Sequence, residues 1–176
     1  MDFFQILLIN SYINIIKIIR YKMTKATPKR LENEFKLISK DSVCGCTVLL
    51  ENENDLKNWT ILMLAPESTP YERGVFKLKF TFPDNYPFKA PDVKFTTTIY
   101  HPNIKTDTGE ICQDVFASSW APTQKVADIL EKIVSMLRQP STSTPLEPEI
   151  CNEYTNNINL FNQKAKEFTQ KYAQSG

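Results

Sequence analysis

A chain of 176 residues, 41% apolar and 23% charged, holds one domain with a sizeable core and is too short for two comfortable ones. With 21 basic against 20 acidic side chains the net charge is +1, which excludes a strong global field for nucleic acid or an acidic membrane, though not a local basic patch. The four cysteines, Cys44, Cys46, Cys112 and Cys151, are too sparse for a disulfide scaffold and favour a reduced, cytosolic setting.

In chain order, Met1 to Ile19 comes first, apolar on all faces yet broken by Gln5, Asn10, Ser11, Asn14 and Lys17. As a helix it would just reach across a hydrocarbon core of about 30 Å. Asp2 precedes the apolar run while Arg20 and Lys22 follow it, which is the wrong polarity for a secretory signal. Insertion would leave the remaining chain cytoplasmic. A membrane anchor, a partner-binding helix and a dispensable extension compete for residues 1–22, and the last is favoured because Met23 opens a reasonable start. The domain is then 23–176.

Thr27 as N-cap and Pro28 at the first helical position open a helix to about Lys40, with Leu31, Phe35 and Ile38 on one face. Cys44-Gly45-Cys46 has no second Cys or His pair at zinc spacing, so it reads as the approach to a strand and no metal is expected. Strands follow at Thr47 to Leu50, Trp59 to Leu64 and Val75 to Phe82. In the third, Phe76, Leu78, Phe80 and Phe82 alternate with Val75, Lys77, Lys79 and Thr81, placing an aromatic face on a core. Pro83, Pro87 and Pro91 stiffen the next loop, with Phe88 at its tip, and a fourth short strand runs from Asp92 to Thr96. The short connections predict an antiparallel meander. Thr123 is a fair N-cap for a helix carrying Val126, Ile129, Leu130, Ile133, Val134 and Leu137 at core spacing, ended by Gln139-Pro140. Helices are expected again at about Leu146 to Thr155 and Asn157 to Ala173, the last with Ile158, Phe161, Ala165, Phe168 and Tyr172 on one stripe.

Between the fourth strand and the Thr123 helix lies Tyr100 to Trp120, too rich in turn formers for a helix. Pro102 pushes His101 towards extended geometry, and Asp107-Thr108-Gly109 is a turn in which Gly109 takes positive φ without a Cβ clash. Just beyond stands Cys112. A thiolate is both a good nucleophile and a good leaving group, which suits acyl transfer through a thioester. The amide of Asn103 is placed to donate to an oxyanion or to hold the loop. The only histidine, His101, sits beside Pro102 and makes a poor mobile base, so it is assigned to structure. Asp114 either tunes an incoming amine or caps a short turn. The bland alternative, Cys112 as a small buried hydrophobe, stays open on the loop alone.

The residues His101-Pro102-Asn103, Gly109-Glu110-Ile111-Cys112 and Trp120-Ala121-Pro122 resemble the ubiquitin-conjugating enzymes in identity and spacing. So do, upstream and in order, Pro70-Tyr71, Gly74-Val75-Phe76, Phe82-Pro83 and Tyr86-Pro87-Phe88-Lys89-Ala90-Pro91. The match runs from roughly Pro28 to Tyr172, and Met23 lies close to where members of that family begin. The resemblance implies an α+β fold: an N-terminal helix, a four-stranded antiparallel meander, and C-terminal helices packed beside it. It implies that Cys112 takes ubiquitin's C-terminal glycine from an activating enzyme and passes it to a substrate lysine or a ligase cysteine. No metal or organic cofactor is implied, because ATP is spent upstream. Lys29 and Arg30 would meet the activating enzyme and overlap the ligase surface, with plain solvation as the alternative. Phe88 and Pro122 would form the ligase dock, where the following residue, commonly Ala, is Thr123. The family often carries Asp or Ser just before the downstream Pro-Leu pair, where it orients and desolvates the lysine. Here that position is Thr144, whose neutral hydroxyl supplies no charge, so direct discharge to free lysine is expected to be slower than in an Asp-bearing relative. Two other readings remain. One changes the cargo to a ubiquitin-like modifier; the other is a catalytically silent ubiquitin-binding module, which the cysteine disfavours.

Overall fold

The computed structural model describes residues 29–40, 43–50, 52, 55–112, 115 and 119–174. The N-terminal extension and the Thr27-Pro28 cap lie outside the described residues. Helix α1 (Lys29–Lys40) buries Leu31, Phe35 and Ile38, the apolar face expected from their spacing. Four strands follow: β1 (Cys46–Leu50), β2 (Asn58–Leu64), β3 (Val75–Thr81) and β4 (Asp92–Phe95). They pair in sequence order, each antiparallel to the last, as Val48↔Ile61↔Leu78↔Phe95 shows across the whole sheet. All four of those side chains are buried, because a period of two keeps one register on one face. The Cys44-Gly45 pair takes positive φ (52° and 70°) and turns the chain into β1, and no disulfide joins the described cysteines.

Helix α2 (Val126–Arg138) lays Val126, Ile129, Leu130, Ile133, Met136 and Leu137 into the core. Its start differs from expectation. Thr123 does not cap it; the N-cap is Lys125, whose backbone N–H donates to Asp128 Oδ2 at 2.7 Å. The next N–H, that of Val126, donates to Glu34 Oε2 at 2.7 Å, so a carboxylate from α1 caps the helix from across the fold. Residues 121–124 form a turn instead, closed by Gln124 N–H to Ala121 O at 2.9 Å and Ala121 N–H to Gln124 Oε1 at 2.9 Å.

Helix α3 (Pro148–Asn156) begins later than the predicted Leu146. The N–H groups of Leu146 and Glu147 both donate to Pro102 O, at 2.9 and 3.0 Å, which holds those residues in a loop until Pro148 opens the helix. Helix α4 (Ile158–Tyr172) is capped by Asn157, whose Oδ1 accepts from Leu160 N–H at 3.2 Å. Its predicted stripe is only half buried: Phe161 and Ala165 are covered, while Ile158 and Tyr172 are 46% and 42% exposed. Among the described residues no helix is long and apolar enough to cross a membrane.

Candidate active site

The cysteine loop is folded against β4 by backbone bonds. Phe95 N–H donates to Gly109 O at 2.9 Å, Lys105 N–H to Glu110 O at 2.9 Å, and Cys112 N–H to Asn103 O at 2.9 Å. Ile104 pairs with Ile111 across this small hairpin, and both are buried. Gly109 sits at φ +69°, and a Cβ there would lie 1.8 Å from Phe95 O. Only glycine allows the turn to approach the strand this closely. The hairpin therefore delivers Cys112 to a fixed place at its end.

Cys112 keeps 7% of its surface exposed. Its thiol donates to Thr144 O at 3.5 Å and lies 3.6 Å from Thr144 Oγ1. Asn103, fully buried, reaches the same segment: its Nδ2 donates to Ser141 O at 2.8 Å and its Oδ1 accepts from Ser141 N–H at 2.9 Å. The 141–144 segment is thus clamped beside the cysteine by Asn103. Residue Asp114 lies outside the described residues.

His101 is fully buried, and its ring spans two backbone groups. Nδ1 accepts from Asn103 N–H at 3.0 Å, and Nε2 lies 3.1 Å from Met136 O. With Nδ1 accepting, Nε2 carries the proton, and the ring is one neutral tautomer. Burial, opposed only in part by the Met136 carbonyl, pushes its pKa down to about 4.

Outside the cysteine hairpin, Phe88 is 78% exposed and Pro122 is exposed. The loops that carry them are joined by Trp120, whose Nε1–H donates to Pro87 O at 2.8 Å. Lys29 is exposed at the start of α1. Arg30 is turned to the protein: it pairs with Glu34, and its two terminal nitrogens donate to Pro122 O at 3.1 Å and Gln124 O at 2.5 Å. Glu34, 4% exposed, also accepts from Tyr86 OH at 2.7 Å. The structure brings together Cys112, Asn103 and Thr144 in one place, with His101 bonded to the backbone of Asn103, and a second set of bonds links Arg30, the Pro122 turn and the loop that carries Phe88. Sequence reasoning missed Glu34 and Ser141. Glu34 left a signal, a charged residue within the apolar stripe Leu31, Phe35, Ile38, which needs a buried partner. Ser141 left none, since it acts through its backbone.

A profile of the ubiquitin-conjugating enzymes matches residues 30–169. The chain belongs to the ubiquitin-conjugating enzyme family. It is 45% identical over 148 residues to the ubiquitin conjugating enzyme E2 B of Dictyostelium discoideum, covering 84% of this chain and 99% of that protein. Among solved structures, a Plasmodium yoelii chain solved as a candidate ubiquitin conjugating enzyme superposes with a TM-score of 0.79 at 33% identity, covering 85% of this chain and 99% of that one. The E2 domain of a Toxoplasma gondii ubiquitin conjugating enzyme gives 0.76 at 34% identity, covering 82% and 97%. The chain is thus an E2, working with ubiquitin, activating enzymes and ligases as E2 enzymes do, on the expected α+β fold.

Proposed function

We propose that Cys112 is the sulfur that carries ubiquitin. Its thiolate attacks the carbonyl carbon of the thioester on the activating enzyme; the new C–S bond forms as the old one breaks, and the activating enzyme leaves as a thiolate. A substrate amine, or a ligase thiol, then attacks the same carbon and Cys112 departs. The observation that carries this reading is the placement of Cys112 at the end of a rigid hairpin with Thr144 against its sulfur. Burial of His101 as a neutral, backbone-bonded ring leaves it a structural part. Asn103 has both ends of its amide engaged by Ser141, which favours holding the loop over donating directly to an oxyanion. Lys29, Phe88 and Pro122 serve as the partner-facing surface. The sparse, unbridged cysteines favour a cytoplasmic setting.

The test is a charging reaction with ubiquitin-activating enzyme, ATP and ubiquitin. A thiol-sensitive adduct is expected for the wild type, none for Cys112→Ala, and a thiol-resistant ester for Cys112→Ser. A thiol-sensitive adduct that survives Cys112→Ala would assign the chemistry to another cysteine.

A further inference from the structure

The sequence marks Arg30 as a partner contact, but the structure commits its guanidinium inward. Nε–H donates to Glu34 Oε1, and the two terminal nitrogens reach Pro122 O at 3.1 Å and Gln124 O at 2.5 Å. Its Cζ also lies 6.0 Å from the centre of the Tyr86 ring. Glu34 is the hub. One oxygen accepts from Arg30 and from Tyr86 OH at 2.7 Å; the other accepts from Val126 N–H at 2.7 Å, the first residue of α2. The Glu34 side chain is 5% exposed, against 30% for Arg30, so no partner protein can touch the carboxylate itself. Tyr86 immediately precedes the Pro87-Phe88 tip, and its ring lies 5.9 Å from that of Trp120, which bonds back to Pro87 O. One carboxylate and one guanidinium thus tie together the first turn of α1, the Phe88 loop, the Pro122 turn and the start of α2.

We propose that Arg30 and Glu34 are positioning residues, a buried strut that sets the partner-binding platform, and that Arg30 serves partners by holding this platform instead of contacting them. This rests on the reading of Lys29, Phe88 and Pro122 as the partner-facing surface. A carboxylate fits the hub because it accepts on both oxygens, and here every facing group is a donor. A glutamine would turn its NH₂ against one of them and leave a buried donor without an acceptor. Lysine at position 30 keeps the charge but cannot form the planar fork that reaches Glu34 and two carbonyls together.

The experiment uses the full chain and purified ubiquitin-activating enzyme, following the KM and kcat of charging, then discharge of the purified thioester to free lysine. Glu34→Gln and Arg30→Lys are each expected to raise the KM for the conjugating enzyme by about tenfold, equivalent to about 1.4 kcal/mol of binding, with kcat little changed. The Glu34→Gln thioester, once formed, should discharge to free lysine within about twofold of wild type, since none of the hub's bonds described above reaches Cys112 or its hairpin. Amide hydrogen exchange should quicken at residues 121–126 and not at the Cys112 hairpin. Arg30→Lys at wild-type KM would show a simple charge contact and overturn the strut; so would Glu34→Gln with unchanged KM and exchange. Lys29→Glu separates the two ideas. If it leaves KM unchanged while Glu34→Gln raises it, the surface reading at Lys29 falls and the strut stands.

Discussion

His101 turns a residue-level fact into a pH dependence. Its native pKa is pushed down to about 4, chiefly by burial, while in the unfolded chain it returns to about 6.5. The unfolded chain therefore binds the proton first as pH falls. The stability this ring contributes is complete above about 6.5 and is lost progressively towards 4. No other histidine exists to blur the window. Unfolding free energy from urea titrations is expected to drop by about 2 kcal/mol between pH 7 and pH 5. The drop should be largely absent in His101→Gln, and a wild type flat over that range would contradict the buried neutral ring. Thr144 carries the second residue-scale prediction. Its hydroxyl, 3.6 Å from Cys112 Sγ, is neutral. A carboxylate there would attract an incoming ammonium and accept its proton, so Thr144→Asp should speed single-turnover discharge to free lysine by about tenfold. No gain would show that this position does not face the amine.

At the scale of elements, the site depends on how the 104–111 hairpin seats on β4. Gly109 sets that distance, with Phe95 O where a Cβ would fall. Gly109→Ala is expected to destabilise the fold by about 3 kcal/mol, and to slow charging through displacement of Cys112 even where the protein stays folded. Wild-type stability and charging would mean that the turn can move without cost. Helix starts show how elements depend on one another. Thr123 looks like a cap because its side chain suits one, yet Asp128 and the distant Glu34 take the first N–H groups of α2. Local sequence lists eligible caps; it does not show a carboxylate arriving from a helix 92 residues earlier. The same holds for α3, where Pro102 O captures two N–H groups that local propensity assigned to the helix.

For the whole molecule, the family match begins at residue 30, and 148 residues of this chain cover 99% of the Dictyostelium discoideum relative. Removing residues 1–22 is therefore expected to leave the charging rate within about twofold of the full chain, the margin expected of remote changes. A larger loss would give the segment a part in partner binding. Sequence alone determined the class of the fold, the order of its elements and the Phe76, Leu78, Phe80 core face, and it singled out Cys112 for the nucleophile's role proposed above. Each of these follows from a local period, a turn residue or a motif spacing, which the chain carries wherever it folds. Tertiary structure alone decided that Asn103 bonds to Ser141, that His101 is neutral, and that Arg30 points inward to Glu34. Those facts depend on groups tens of residues apart meeting within hydrogen-bond range in a dry interior, where a polar atom takes whichever partner the packing delivers.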